Sequence, residues 1–97
     1  MDPKSNLSPV AKQVFEVLNP LYSELRKEIQ ESLENLVHLA NKVINKRKAN
    51  EDFTEELDEF NLILDEIEDK TFEEVEEEEQ ETILINFFEK LRDLINE

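Results

Sequence analysis

Apolar residues recur along this chain at intervals of three and four, the spacing that gathers a stripe on an α-helix turning about 100° per residue. Ala11, Phe15 and Leu18 share one such stripe with Tyr22, Leu25, Ile29, Leu33, Leu36, Ala40, Val43 and Ile44. The pattern opens at Ser8 followed by Pro9, an N-cap residue and a proline suited to the first helical position, starting a helix that holds Val10, Ala11, Val14, Phe15 and Leu18. Asn19 and Pro20 repeat that pairing. They either begin a second helix or kink a continuing one, because proline lacks a backbone donor and disfavours helical geometry at the residue before it. The stripe crosses Pro20 in phase, as a kinked continuous helix requires. A helix over about 20–48 would be about 44 Å long at 1.5 Å per residue and would make the domain elongated.

A third helix is expected to start near Asn50 or Asp52, since Asp52 and Glu55 have the spacing of a capping box. Phe53, Leu57, Phe60, Leu64 and Ile67 then follow steps of four, three, four and three, the cleanest core seam in the chain. Thr71 with Glu74 offers another capping pair and predicts a break near 69–71. Beyond it, Phe72 and Val75 point in one direction, while Ile83, Leu84, Phe87, Phe88, Leu91, Leu94 and Ile95 centre about 120° away on a straight helix. One regular helix cannot bury both sets against one surface. The expectation is either a short acidic helix at 72–80 joined to a last helix at 82–95, or a long helix whose first part projects from the bundle.

Composition narrows the fold to one class. The 97 residues include no glycine and three prolines, so the tight turns of hairpin-rich sheets lack their usual residues, whereas the abundant Glu, Leu and Lys favour helix. The expected architecture is all-α, an elongated antiparallel bundle of three to four helices. It is read as a single domain over 1–97, with a flexible N-terminus at 1–7 and an acidic segment at 70–81. Hydrophobic residues at 38% suffice for one modest core.

Charge divides the chain unequally. Residues 1–49 carry 8 basic and 6 acidic side chains, a net of +2, while residues 50–97 carry 3 and 20, a net of −17. Seventeen of those 20 lie within 51–81, and residues 73–81 hold seven glutamates in nine positions, dense enough that the alternative to helix there is a solvated coil. Direct nucleic-acid binding is disfavoured, because it relies on cationic side chains releasing counterions. The one basic cluster, Lys46, Arg47 and Lys48, is explained as the last turn of a helix, where cations complement the dipole. Anionic membranes would repel the chain on the same grounds. The first residues lack the apolar core of a signal peptide and no run approaches the length of a membrane span, so the expected location is cytoplasmic.

Candidate chemistry is sparse. Without cysteine and glycine there are no thiol nucleophiles, thiolate zinc sites, disulfides or glycine-rich phosphate loops. Di-iron bundles use paired Glu-x-x-His motifs, but the single histidine, His38, follows Glu34 by four and lies opposite the Leu33, Leu36 and Ala40 face, as a solvent-exposed residue would. The calcium-loop pattern, which needs a central glycine, does not occur. Paired catalytic carboxylates need a water-poor pocket, whereas the acidic clusters here fall on polar faces. The expectation is a non-enzyme without cofactor or metal.

One apolar residue departs from the pattern. Leu62 lies about 160° from the centre of its helix seam, among Glu55, Asp58, Asp65, Glu66 and Asp69. It is either an ordinary exposed leucine, a contact to another helix or subunit, or an anchor for a binding partner; Ile85 sits off its seam in a similar way. The acidic face likewise has a plain reading as a solubilising surface. Yet a net of −17 over 48 residues brings self-repulsion that solubility does not require.

The leading expectation is an acidic protein-binding module, an inhibitor that docks on the basic nucleic-acid-binding surface of a partner protein. Its binding residues would be Glu55, Asp58, Glu59, Leu62, Asp65, Glu66, Asp69, Glu73, Glu74, Glu76, Glu77, Glu78 and Glu79. The rival is a helical adaptor or an assembly or secretion chaperone that binds a partner helix through Leu39, Phe72, Val75, Ile85 and Phe88. Spare apolar residues at Phe72, Val75 and Phe88 would also suit a homodimer.

Overall fold

Five helices follow one another in the computed structural model, which describes residues 9–96: α1 (Pro9–Glu16), α2 (Asn19–Tyr22), α3 (Lys27–Lys48), α4 (Thr54–Glu74) and α5 (Glu78–Asn96). The expected flexible segment at 1–7 and the Ser8 cap lie outside the described residues. The all-α bundle is as the periodicity predicts, with two short helices leading into three long ones. α3 packs against α1, α4 and α5, and α1 packs on α5. One core joins Phe15, Leu21, Leu33, Leu36, Phe60, Phe87 and Leu91.

The long helix is shorter than the expected 20–48. As one of the two expectations has it, Asn19 and Pro20 open a second helix, α2, after a turn at 17–18, and the chain then breaks again over 23–26. A run of three-residue steps replaces the continuous helix, with the amides of Leu21, Glu24 and Leu25 bonding to the carbonyls of Leu18, Leu21 and Tyr22. Arg26 is extended, at φ −61° and ψ 148°. Gln30 Nε2 holds this corner by donating to the carbonyls of Tyr22 at 2.6 Å and Leu25 at 3.1 Å. Leu18, Leu21 and Leu25 stay buried because successive turns keep them on the inner side, so the stripe crosses the corner without one helix axis. At 22 residues α3 is about 33 Å long. The molecule measures 42 × 26 × 22 Å with a radius of gyration of 13.1 Å. That is close to the roughly 12.5 Å of a compact domain of this length, so its elongation is moderate.

The joint between α3 and α4 is a Schellman motif built without glycine. Asn50 takes φ 59°, the Glu51 amide bonds to the Lys46 carbonyl at 2.7 Å and the Asn50 amide to the Arg47 carbonyl at 3.2 Å. Asparagine tolerates this left-handed position better than other side chains. Asp52 accepts from the Thr54 amide and hydroxyl at 3.0 and 2.7 Å, which holds its carboxyl below the usual range; the N-cap of α4 is Phe53, without a side-chain cap bond, so these contacts stand in place of the expected capping box with Glu55.

The expected break at 69–71 is displaced. α4 continues to Glu74 and the chain turns at 75–77, because Thr71 is a core residue that prolongs the 4-3-4 seam of Phe60, Leu64 and Ile67. Its hydroxyl donates to the Ile67 carbonyl at 2.6 Å, which satisfies it inside the helix. There is accordingly no separate helix at 72–80. The two apolar directions belong to two helices: Phe72 ends α4 against Phe88, with ring centroids 5.8 Å apart, and Val75 is buried at the turn.

Candidate functional site

The acidic face is built by the register of α4. Phe60, Leu64, Ile67 and Thr71 turn inward, which leaves Leu62 and the carboxylates three or four residues from it facing out. Glu55, Asp58, Glu59, Asp65, Glu66, Asp69 and Glu73 all lie within about 60° of Leu62 around the helix axis. Seven carboxylates thus cover about 27 Å, roughly one every 4 Å. Glu76 and Glu77 are exposed in the turn, and Glu78 and Glu79 enter the first turn of α5. The α5 dipole offsets some of their mutual repulsion. Of the twelve carboxylates singled out from sequence, eleven are exposed and Glu74 is half-buried. Leu62 is 63% exposed, so it stands among them as expected.

The ion pairs lie on the flanks of this face, and Lys70 is the one cation that α4 itself carries. Three ion pairs join described residues: Arg26 with Glu74, Lys46 with Glu56 at 2.6 Å, and Arg92 with Glu68 at 2.9 Å. Each fastens α4 to a neighbouring helix from the flank. The Lys46 hydrogen bond holds the Glu56 carboxyl below its usual range and lifts the Lys46 ammonium above its own. Glu74 is the one candidate taken up within the fold. It also accepts from the Arg26 amide at 3.4 Å, placing a carboxylate at the N-terminus of α3.

The basic cluster is structural too. Lys46, Arg47 and Lys48 form the last turn of α3; Arg47 donates to the Ile95 carbonyl near the end of α5 and stacks over the Phe53 ring, 5.3 Å from its centroid.

The other singled-out residues are placed differently from expectation. His38 is half-buried beside α4, in a depression with Asn35, Leu39, Lys42, Glu59 and Ile63, rather than on an open face. Among the described residues no group of three or more His, Asp or Glu side chains is arranged to hold a metal ion. Leu39, Val75 and Phe88 are buried in the core and Phe72 packs against it, so the apolar residues offered for a partner helix or a dimer are already covered; Ile85 is 47% exposed. Tyr22, which the sequence marks only as apolar, donates to Glu34; burial, that bond and the nearby Glu34 and Glu31 charges push its phenol up.

Sequence periodicity misses one feature: a trough between α3 and α4, floored by Ile29, Ile63 and Ile67. Ser32 and Asn35, small polar residues on the α3 flank, leave it open, and only the pairing of the two helices brings its banks together. Among the described residues no helix is long and apolar enough to cross a membrane. Comparison with family models, with curated proteins and with solved structures finds no match to this chain.

Proposed function

We propose that this chain is a non-enzymatic protein-binding module of the cytoplasm, which inhibits a partner by occupying its basic, nucleic-acid-binding surface. The observation that carries this reading is the exposed acidic face of α4, where seven carboxylates surround Leu62 while the ion pairs among the described residues lie on the flanks of the helix. One carboxylate about every 4 Å of axis is close to the 3.4 Å per charge of a single nucleic-acid strand, so a groove that accepts phosphates meets a comparable line charge. The wider field steers a cationic partner toward this side. Leu62 supplies an apolar contact at the middle of the face.

The rival adaptor reading keeps only Ile85 exposed among its five apolar contacts. The test is a pull-down from the native host eluted with a salt gradient, repeated with Asp58→Lys, Asp65→Lys and Asp69→Lys together. Charge-dominated binding predicts elution at moderate salt and at least about a tenfold loss of affinity in the triple variant. Retention at high salt together with unchanged affinity would remove the proposal.

A further inference from the structure

Three depressions of about 340, 220 and 440 Å³ follow one another between α3 and α4. The first two share Asn35 and Ile63, and the last two share Leu39, Lys42 and Glu59, so they form one trough. It runs alongside α3 from Arg26 to Lys46, about 30 Å. Ion pairs tie α3 to α4 at both ends, Arg26 with Glu74 and Lys46 with Glu56, which fixes the separation of the banks. In the middle the half-buried Ile63 is the apolar side chain that reaches the surface, over Ile29 and Ile67, which are buried in the core. The Ser32 hydroxyl donates to the Glu28 carbonyl of its own helix at 3.1 Å and makes no polar demand on an occupant.

The banks carry opposite charge. Glu55, Glu56, Glu59, Glu66 and Glu73 line the α4 side with one lysine, Lys70; Arg26, Lys42 and Lys46 line the α3 side with one glutamate, Glu28, and of these cations Arg26 and Lys46 are paired with Glu74 and Glu56 of α4.

From this we infer that the trough seats an amphipathic helix of the partner protein, with an apolar side chain against Ile63 and a basic flank along α4. This rests on the reading that the partner is basic, and names the element that it presents. A helix suits the site because both banks are helices with satisfied backbones, offering no strand edge to an extended peptide. A basic flank suits the α4 glutamates, whereas the same charge on the other flank would meet Lys42 and find Glu56 and Glu74 already paired with Lys46 and Arg26; the bound helix is therefore basic on one side only. A second copy of this chain is a poor occupant, since its net charge of −15 would face the same glutamates.

The test uses two synthetic helical peptides of about 15 residues, which span about 22 Å and fit within the trough. Both carry leucines at helical spacing; one has lysines along a single flank, and the other has glutamates in their place. Each is titrated into the isotopically labelled full chain. The lysine peptide is expected to shift the amide signals of Ser32, Asn35, Ile63 and Ile67 and to bind at least about tenfold tighter than the glutamate peptide. Ser32→Trp, which fills the trough, and Asn35→Trp, at an exposed position that threatens folding less, are each expected to weaken the lysine peptide at least about tenfold. Shifts confined to Asp58, Asp65 and Asp69, with binding indifferent to both tryptophans, would overturn the trough while leaving the acidic-face reading intact. Equal affinity for the two peptides would overturn the basic flank. Loss of native-partner binding in the Asp58, Asp65, Asp69 triple variant, with peptide binding retained, separates the two surfaces.

Discussion

α3 and α4 are nearly equal in length, 22 and 21 residues, but α3 buries eight side chains and α4 four. α3 is enclosed by α1, α4 and α5, so its stability comes from packing on several sides. α4 rests mainly on α3 and relies on one seam, the ion pairs on its flanks and its N-terminal hydrogen bonds. The chain therefore places its densest charge on the helix with less apolar anchorage, where like charges at helical spacing oppose the fold. A helix held from one side has a free face, and that face is where the carboxylates accumulate.

The largest expected effect comes from the same truncation on each helix. Leu36→Ala is expected to cost about 4–5 kcal/mol and Leu64→Ala about 2–3, because a one-sided site relaxes into the cavity more readily. Urea denaturation measures both, and equal losses would break the contrast. Hydrogen exchange sharpens it, with α4 amides opening at lower free energy than those of α3.

The joint between the two helices comes next. Asn50→Ala keeps a β-carbon in the left-handed position but loses the short polar side chain that makes asparagine tolerant of it, at a cost of about 1 kcal/mol. A thermal midpoint unchanged by the substitution would show that the Schellman turn does not hold α4 in register.

The smallest effect is electrostatic. The folded state lowers the Glu56 carboxyl through Lys46, so this pair contributes fully above about pH 4.5, the ordinary value, and its contribution is lost as pH falls through the lowered one. Glu56→Gln is expected to flatten the acid limb of the stability profile. Tyr22 has the opposite sign: its phenol is raised, so its contribution is complete below about pH 10.0 and is lost as pH rises. Tyr22→Phe is expected to flatten the alkaline limb and leave the acid limb unchanged, as followed by denaturation across pH.

Much of the fold was legible because it rests on local periodicity. The seam of Phe60, Leu64 and Ile67 and the outward position of Leu62 with its acidic neighbours follow from helical spacing alone. The ends were harder to read, because the signals that mark them have other uses. Thr71 resembles a cap but is a buried member of the seam, and Asn19 with Pro20 does start a helix, but one of a single turn. The true break at Arg26 carries neither proline nor glycine, and Gln30 and Glu74 hold it from elsewhere in the chain. Phe72 and Val75 seemed spare only on the assumption that they belonged to the last helix. The trough was illegible for a related reason, since its two banks are distant in sequence and meet only when α4 folds back along α3.

The separation of charge gives the molecule a directional property. The segment from α1 to the end of α3 is slightly cationic, whereas α4 and the turn after it hold most of the negative excess. Near a positively charged surface such a body feels a torque as well as an attraction. It swings α4 toward that surface before the two touch, so fewer collisions are lost to wrong orientations.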